Sequence, residues 1–250
     1  MGRERPFVLS IAGSDPSGGA GVFADLKTLE ARRVYGLGVV SAITCQSDTE
    51  FFGVDWVPAA AIISQAQAVL QRFPVTVAKI GLIQDLEVLQ TVITFLKEVN
   101  PGMKIIWDPI LQASAGYVFH GKPNAMALNT ILNQVYLLTP NVPEARQLAP
   151  ANQAEDSARE LSRFCHVLLK GGHQPEKPGR DQLFHTDGKV YGYRPGPAQV
   201  SAKHGSGCVL SAAIAANLAQ GNTLPRAVLR AKQYTTRFLS SNTSLLGYHL

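Results

Sequence analysis

The chain has 250 residues, of which 46% are hydrophobic and 16% charged, and its formal net charge is +5. A chain of this size can bury about 70–75% of the surface that it exposes when unfolded, so it needs no disulfide or metal cross-link to be stable. These figures exclude a disordered chain, a collagen-like chain and a small disulfide-rich fold.

The three cysteines, Cys45, Cys165 and Cys208, lie far apart and form no C-x-x-C pair or Cys/His cluster. We therefore expect no zinc site, and we expect a cytoplasmic protein. The N-terminal residues carry no export signal, and the longest apolar stretch, residues 209–219, is shorter than the ~20 residues that a bilayer needs. Lysines and arginines are dispersed, so the sequence predicts neither a membrane nor a nucleic acid as partner, and the modest positive charge favours a small anionic substrate.

Apolar runs rich in β-branched residues alternate with segments of helical period along the whole chain. This alternation indicates βαβ units around a largely parallel sheet, in one α/β domain over residues 1–250. Strands are predicted, in chain order, at residues 7–12, 37–44, 75–80, 104–108, 135–139, 166–170, 181–186 and 190–194, the last two as a hairpin. Helices are predicted at residues 22–33, 58–72, 86–99, 123–133, 155–164, 207–220 and 224–241, with Asp85 and Thr223 as N-caps, and residues 173–180 as a surface loop.

In an open α/β sheet, ligands bind beyond the carboxyl ends of the strands. A glycine-rich segment, residues 13–21 (GSDPSGGAG), follows the first predicted strand. So many glycines in one turn allow a close approach to a ligand, at an entropic cost that ordinary turns avoid. No Lys-Ser/Thr pair follows Gly18 and Gly19, which excludes a Walker A loop. A loose dinucleotide fingerprint and a ligand-free glycine turn remain as alternatives.

A second glycine-rich segment, residues 204–208 (HGSGC), directly precedes a long apolar helix. The backbone N–H groups of Gly205 and Gly207, with the positive end of the helix dipole, would form an anion hole for a phosphoryl group in transfer. The same field is expected to lower the pKa of Cys208, which would then act as a base or nucleophile. The alternative is that Cys208 is a small buried residue at a helix start.

Polar residues also follow several later strands: Asp108, then Asn141 and Glu144, then Lys170 at the start of residues 170–173 (KGGH). Two carboxylates and an amide suit a hydrated Mg²⁺ that bridges phosphates, and a lysine at a strand end supplies a point charge for a phosphate oxygen. Taken singly, each residue is better explained as a cap or a turn, and the case for a site depends on their joint position at the carboxyl edge of the sheet.

With these segments, the chain resembles the ribokinase-like small-molecule kinases and, among them, the hydroxymethylpyrimidine/phosphomethylpyrimidine kinases of thiamine synthesis. The resemblance runs nearly the whole length of the chain, through residues 12–21, 24–28 (ADLKT), 79–81 (KIG), 108–109 (DP), 139–141 (TPN), 144–145 (EA), 170–173 and 204–208. It implies a ribokinase-like three-layer α/β sandwich with helices on both faces of the sheet. It also implies ATP-dependent phosphorylation of 4-amino-5-hydroxymethyl-2-methylpyrimidine and then of its monophosphate, with Mg²⁺ as cofactor and a homodimer as the assembly.

The same resemblance implies roles for individual residues. Cys208 removes the hydroxyl proton, and the amides of residues 205–207, Ser206 included, hold the γ-phosphate. Asp108 and Glu144 bind Mg²⁺. The residues expected at ATP are Asn141, Lys170, Lys203 and Lys232, and those expected around the pyrimidine are Gly13, Asp25, Gln46, Leu82 and Ile110. Gln46 suits a pyrimidine because an amide can both donate to and accept from the ring nitrogen and exocyclic amine.

Some positions depart from the family pattern. The family usually has Met where this chain has Leu82, Val where it has Ile110, and Thr where it has Lys203 and Ser206. Lys203 adds a positive charge beside the expected anion hole, so we expect it to pair with a phosphate or else to point into solvent. Residues 47–52 read as an insertion after Gln46.

Three other functions remain as alternatives. A pyridoxal kinase of the same cysteine-type subgroup would also phosphorylate a flat heteroaromatic alcohol. A non-catalytic pyrimidine- or thiamine-binding sensor would not turn over ATP. A thiol hydrolase that uses Cys208 and His204 would require an orienting Asn or Asp and a nucleophile elbow, and neither accompanies these residues.

Overall fold

A computed structural model of the chain describes residues 4–111, 124–172, 179–196 and 199–249. Strands alternate with helices along most of it, as the sequence predicts. Its strands are β1 (Phe7–Ser14), β2 (Tyr35–Gln46), β3 (Phe51–Trp56), β4 (Val75–Ile80), β5 (Lys104–Trp107), β6 (Leu137–Leu138), β7 (His166–Leu169), β8 (Asp181–Phe184) and β9 (Val190–Tyr193). Its helices are α1 (Gly21–Ala31), α2 (Ala59–Leu70), α3 (Leu86–Val99), α4 (Ala125–Leu132), α5 (Val142–Leu148), α6 (Ala154–Leu161), α7 (Ser206–Ala219) and α8 (Leu224–Leu239).

The strands of the described residues form one sheet in the order β3-β2-β1-β4-β5-β6-β7-β8-β9. The six strands from β2 to β7 in this order are paired in parallel. β3 pairs with β2 antiparallel, and β8 and β9 extend the other edge antiparallel. The prediction of a mostly parallel sheet is confirmed, as is the β8–β9 hairpin.

Helices pack on both faces of this sheet, which confirms the three-layer architecture. One apolar cluster lies under α2, α3, α4, α5 and α6, and includes Ile62, Leu89 and Leu161. The other lies under α1, α7 and α8, and includes Leu29 and Ile214. None of the helices in the described part of the chain is long and apolar enough to cross a membrane.

The sequence-based prediction missed two short elements. α5 has only seven residues and begins in a capping box at Asn141. β3 is an edge strand that begins at Phe51, at the end of the insertion predicted at residues 47–52, and runs on to Trp56. Asp85 caps α3 by accepting a hydrogen bond from the Val88 N–H, whereas Thr223 occupies the N-cap of α8 without a side-chain cap bond. Two predicted segments lie partly outside the described residues: the first residue of the helix predicted at 123–133, Pro123, and most of the loop predicted at 173–180, including His173.

Candidate active site

The loops beyond the carboxyl ends of the parallel strands meet the N-terminal end of α7. The chain leaves β1 into the segment of residues 15–20, hereafter the first glycine loop, and returns at residues 203–207, hereafter the second glycine loop. At Gly207, an added Cβ would lie 3.4 Å from Lys170 Nζ and 3.9 Å from Asp108 Oδ2. The second glycine loop therefore lies beside the charged residues that follow β5 and β7.

The two glycine loops are packed backbone against backbone. Gly205 has φ = +72°, and a Cβ at this position would lie only 2.0 Å from the carbonyl oxygen of Gly19. Gly21 has φ = +61°, and a Cβ there would lie 2.1 Å from the carbonyl oxygen of Gly13. Only glycine fits such positions, because they combine a left-handed backbone with a close backbone approach. The glycines therefore serve a tight local geometry and are more than a flexible turn.

Asp15 connects the two glycine loops. Its carboxylate accepts hydrogen bonds from the N–H and Oγ of Ser17 at 2.9 and 2.8 Å and from the Ala20 N–H at 2.8 Å, and His204 Nε2 lies 3.0 Å from its Oδ2. Burial alone would raise the pKa of Asp15, but hydrogen bonds from His204, Ser17 and Ala20 outweigh it and hold this pKa below its usual value. Asp15 is therefore ionised, and its carboxylate bonds to both glycine loops.

The N-terminal end of α7 is free of the usual side-chain caps. Gly205 is the N-cap, no side chain caps the helix, and no acidic residue occupies its first turn. Backbone N–H groups in a first turn lack partners within their own helix and favour a bound anion. Gly205, Ser206 and Gly207, the residues of the expected anion hole, therefore lie at an uncapped helix start.

Cys208 lies in the first turn of α7 and is 5% exposed. Burial raises the pKa of its thiol to about 11; Lys79 opposes this shift, and the carboxylates of Asp25 and Asp108 add to it. The sequence-based prediction of a lowered pKa is therefore wrong for this structure, because the loss of solvation outweighs the favourable field at the helix start. The thiol is protonated at neutral pH.

Lys79, in the KIG motif of residues 79–81, lies beside Asp25 and Cys208, and the sequence alone predicts no role for it. Its Nζ lies 2.7 Å from Asp25 Oδ2, and both side chains are 1% exposed or less. Although burial disfavours its charge, the Asp25 carboxylate raises the pKa of Lys79, so the ammonium stays charged. The sequence signal was present: a lysine inside the otherwise apolar strand of residues 75–80 requires a buried partner.

Asp25 also accepts a hydrogen bond from Ser10 Oγ at 2.6 Å through the same Oδ2 atom. Its other oxygen, Oδ1, is buried and has no hydrogen-bond partner among the described atoms. A buried carboxylate oxygen without a donor is costly, so this atom is available to a donor on a ligand.

Asp108, Glu144 and Lys170 form a second charged group. Asp108 Oδ1 accepts hydrogen bonds from Lys170 Nζ at 2.8 Å and Thr139 Oγ1 at 2.9 Å, and its Oδ2 accepts one from Ser211 Oγ at 3.1 Å. Lys170 Nζ also lies 3.8 Å from Glu144 Oε2. Burial would raise the pKa of Asp108, but Lys170 holds it below its usual value.

Asn141 and Glu144 also have a structural role. Asn141 Oδ1 accepts from the Glu144 N–H at 2.9 Å, and Glu144 Oε2 accepts from the Asn141 N–H at 2.7 Å, which is a capping box for α5. Burial raises the pKa of Glu144 to about 7, against the opposing effect of Lys170. The two residues therefore act as a cap and still lie at the charged group.

The described residues contain no cluster of three or more metal-binding side chains. Asp108 and Glu144 instead share the Lys170 ammonium, whose Nζ lies 2.8 Å from Asp108 Oδ1 and 3.8 Å from Glu144 Oε2. Mg²⁺ commonly takes one or two protein carboxylates and completes its shell with water and phosphate oxygens. This pair of carboxylates fits a hydrated Mg²⁺ of that kind.

The residues expected around the pyrimidine lie on neighbouring elements. Gly13 is the penultimate residue of β1 and lies against Leu82, whose Cδ2 would be 2.9 Å from a Cβ at Gly13. Gln46 ends β2 where the register with β3 shifts, opposite Phe51. Ile110 follows Asp108 by two residues and donates its N–H to the Asp108 carbonyl at 2.9 Å.

Two lysines expected at ATP phosphates bond elsewhere. Lys203 is 7% exposed, and its Nζ donates to Ser201 Oγ at 2.8 Å and to the carbonyls of Asn242 and Ser244 at 2.6 Å each. All three ammonium hydrogens thus have acceptors, so in this structure Lys203 neither pairs with a phosphate nor points into solvent.

Lys232 is likewise engaged by the protein. Its Nζ lies 2.5 Å from Asp181 Oδ2 and 2.6 Å from the Gly179 carbonyl, and Asp181 Oδ1 accepts from the Gly171 N–H at 2.9 Å. The ammonium is neutralised by Asp181, which departs from the expected contact with ATP. Through Asp181, Lys232 is instead linked to the N–H of Gly171, the residue that follows Lys170.

Comparisons with known proteins identify relatives of this chain. A family model described as phosphomethylpyrimidine kinase matches residues 15–249. The chain is 38% identical over 247 residues to the thiamine biosynthesis bifunctional protein ThiED of Geobacter sulfurreducens, which covers 94% of this chain and 50% of that protein. The chain therefore spans half the length of this relative.

A second relative is matched over nearly its full length. The hydroxymethylpyrimidine/phosphomethylpyrimidine kinase of Haemophilus influenzae is 32% identical over 244 residues, which are 93% of this chain and 90% of that protein. Among solved structures, the pyridoxal kinase of Staphylococcus aureus in complex with ADP superimposes with a TM-score of 0.83 and 27% identity, over 96% of this chain and 90% of that one. Because the family model covers nearly all of the sequence and both glycine loops, the chain belongs to the phosphomethylpyrimidine kinase family.

Proposed function

We propose that this chain is a hydroxymethylpyrimidine/phosphomethylpyrimidine kinase of thiamine biosynthesis, a single kinase domain over residues 1–250. It transfers a phosphoryl group from ATP to 4-amino-5-hydroxymethyl-2-methylpyrimidine and then to the monophosphate, which gives the diphosphate. The observation that carries the proposal is the uncapped start of α7, where the left-handed Gly205 lies against the first glycine loop and Cys208 lies in the first helical turn.

The substrate hydroxyl needs a proton acceptor as its oxygen attacks the γ-phosphorus. Cys208 supplies this acceptor: the thiolate takes the hydroxyl proton, the new P–O bond forms, and ADP leaves with the electrons of the broken bond. Because burial raises the pKa of Cys208 to about 11, only the thiolate fraction is active, and the ammonium groups of Lys79 and Lys170 favour that form. The amides of residues 205–207 stabilise the charge on the transferred group.

Lys170, Asp108, Glu144 and Asn141 lie on the ATP side of the site. Asp108 and Glu144 would hold Mg²⁺, which neutralises phosphate charge when it is bound. Lys170 already lies between the two carboxylates, so its ammonium provides a second cation for phosphate oxygens. Asn141 fixes Glu144 through the capping box and keeps that carboxylate at the site.

The pyrimidine would lie between the first glycine loop and the ends of β2 and β4. The unpartnered Asp25 Oδ1 would accept a hydrogen bond from the exocyclic amine, and Gln46 would satisfy a ring nitrogen. Leu82 and Ile110 provide apolar walls for a flat ring, and Gly13 leaves the space that Leu82 occupies.

A pyridoxal kinase is the second candidate, because the solved pyridoxal kinase of Staphylococcus aureus has the same fold over 96% of the chain. The identities to the pyrimidine kinase of Haemophilus influenzae, 32%, and to the thiamine biosynthesis protein ThiED, 38%, exceed the 27% identity to the pyridoxal kinase and favour the pyrimidine alcohol. A competition assay of the purified protein with ATP, Mg²⁺ and both alcohols decides between them. We expect phosphorylated pyrimidine to dominate at equal concentrations, and dominant pyridoxal phosphate would reverse the assignment.

We also propose a cytoplasmic homodimer. Tyr35, Ile43 and Phe52 on β2 and β3 are 51%, 54% and 70% exposed, which is unusual for large apolar side chains on neighbouring strands and suits a second copy of this chain. Reducing conditions suit a free Cys208 thiol. Analytical ultracentrifugation tests the assembly: a dimer that Phe52→Asp converts to a monomer supports it, and a monomeric parent protein contradicts it.

A further inference from the structure

The last part of the described chain passes over both glycine loops. We define residues 241–249 as the C-terminal segment. The His204 N–H donates to the Leu245 carbonyl at 2.9 Å, so this segment is bonded to the second glycine loop. The side chains of Leu246 and His204 both lie over Gly19, where an added Cβ would be 2.8 Å from Leu246 Cδ2 and from His204 Cδ2. The C-terminal segment therefore contacts the two loops that form the site.

Lys203 holds this segment in place. Its buried ammonium donates to the Asn242 and Ser244 carbonyls, both in the C-terminal segment, and to Ser201 Oγ just before the second glycine loop. No carboxylate of the described residues forms an ion pair with it. Hydrogen bonds from a charged donor in a buried site are among the strongest in proteins, and three of them fix both ends of this contact.

The C-terminal segment is ordered by its own contacts. Asn242 Nδ2 and Ser244 Oγ each donate to the Leu246 carbonyl at 3.0 Å. At the end of the segment, His249 Nδ1 lies 3.0 Å from the hydroxyl of Tyr234 on α8. The position of Leu246 over Gly19 is therefore coupled to the carbonyls that Lys203 binds.

We propose that Lys203 is a positioning residue that ties the C-terminal segment to the second glycine loop and so holds the Gly205 amide and the start of α7 in place for the γ-phosphate. The inference rests on the proposed kinase function. The family usually has a threonine at this position, and a single hydroxyl hydrogen cannot bond to both carbonyls. The tie therefore depends on the lysine that stands in place of that threonine.

The test compares Lys203→Met with Lys203→Arg and with Lys189→Met. The Met variant removes the donors and keeps the length, and the Arg variant keeps several donors. Lys189 is 69% exposed on the β8–β9 hairpin, so Lys189→Met is a control with the same loss of charge. Two readouts are needed: hydrogen exchange of residues 203–209 and 241–249, and the kinetic constants for ATP and the pyrimidine alcohol.

We expect Lys203→Met to speed exchange about tenfold in both segments and to lower kcat about tenfold. The KM for the alcohol should change less than about twofold, because its proposed polar contacts, Asp25 and Gln46, lie outside both segments. Lys203→Arg should recover most of both effects, and Lys189→Met should match the parent. Faster exchange confined to residues 241–249, or an unchanged kcat with faster exchange in both segments, would overturn the proposal.

A second variant keeps the proposal testable if Lys203→Met does not fold. Leu246→Ala trims the contact over Gly19 and leaves Lys203 intact; we expect about a threefold fall in kcat, and a parental kcat would overturn the proposal. If the parent protein shows no kinase activity, the proposed function fails. Hydrogen exchange of Lys203→Met then still decides whether this residue ties the two segments.

Discussion

Gly205→Ala tests the close packing of the two glycine loops. Gly205 and Gly221 stand at the two ends of α7 with φ of +72° and +83°. A Cβ at Gly205 would lie 2.0 Å from the Gly19 carbonyl oxygen and 2.7 Å from Ala20 Cα, whereas a Cβ at Gly221 meets nothing within 4 Å. Gly221→Ala is therefore a matched control for the backbone conformation alone.

The two substitutions share one cost and differ in another. An alanine in the left-handed region costs about 1–2 kcal/mol at either position. At Gly205 the loops must also separate by more than about 1 Å to reach a normal contact distance, and such overpacking costs about 1–3 kcal/mol more. We therefore expect Gly205→Ala to lower the free energy of unfolding by about 2–5 kcal/mol, and Gly221→Ala by about 1–2 kcal/mol.

The effect on catalysis should separate the two variants more clearly. A displacement of about 1 Å in groups that position a substrate can cost about 10²-fold in rate. We expect that loss in kcat for Gly205→Ala, measured by ADP release with the pyrimidine alcohol, and a parental kcat for Gly221→Ala. Urea unfolding gives the stability of both. Equal stability losses together with equal kcat values would refute the account of the loops.

Three further predictions concern Cys208 and the buried ion pair. Cys208→Ala should lower kcat by about 10²–10⁴ and leave ATP binding nearly intact, while Cys208→Asp should keep measurable turnover if the role is proton acceptance; near-parental turnover of the Ala variant would refute that role. Because the Cys208 pKa is raised to about 11 and only the thiolate accepts a proton, kcat should rise with pH, by about tenfold per unit, between pH 7 and 9; a flat profile would contradict the thiolate as base. Lys79→Met leaves the Asp25 carboxylate buried and unpaired, so it should lower the free energy of unfolding by about 3–5 kcal/mol in urea, and adding Asp25→Asn should restore part of the loss; an unchanged midpoint would show that the pair is not needed for folding.

Much of the site was predictable because parallel strands bring their carboxyl ends to one edge of a sheet. The first glycine segment, Asp108 and Lys170 each follow a parallel strand, and the structure brings Lys170 to 2.8 Å from Asp108. α5 escaped detection because seven residues span too few turns for a helical period, although Asn141 and Glu144 already have the spacing of a capping box.

The remaining misses depend on tertiary contacts. Whether the pKa of Cys208 rises or falls is decided by burial against the helix field, and the degree of burial is set by packing that no local pattern specifies. The acceptors of Lys203 come from residues 242 and 244, about 40 positions away along the chain. In the sequence, a lysine next to an expected anion hole suggests a contact with phosphate. Only the fold shows that the Asn242 and Ser244 carbonyls accept its hydrogen bonds.

The central claim is phosphoryl transfer from ATP to the pyrimidine alcohol at the start of α7. The most direct measurement counts ADP and phosphorylated pyrimidine produced by the purified protein with ATP, Mg²⁺ and 4-amino-5-hydroxymethyl-2-methylpyrimidine. The account predicts ADP formation that requires the alcohol, with the monophosphate appearing first and one ADP formed for each phosphoryl group gained, up to the diphosphate. ADP formed at the same rate without the alcohol, or no phosphorylated pyrimidine at all, would contradict it.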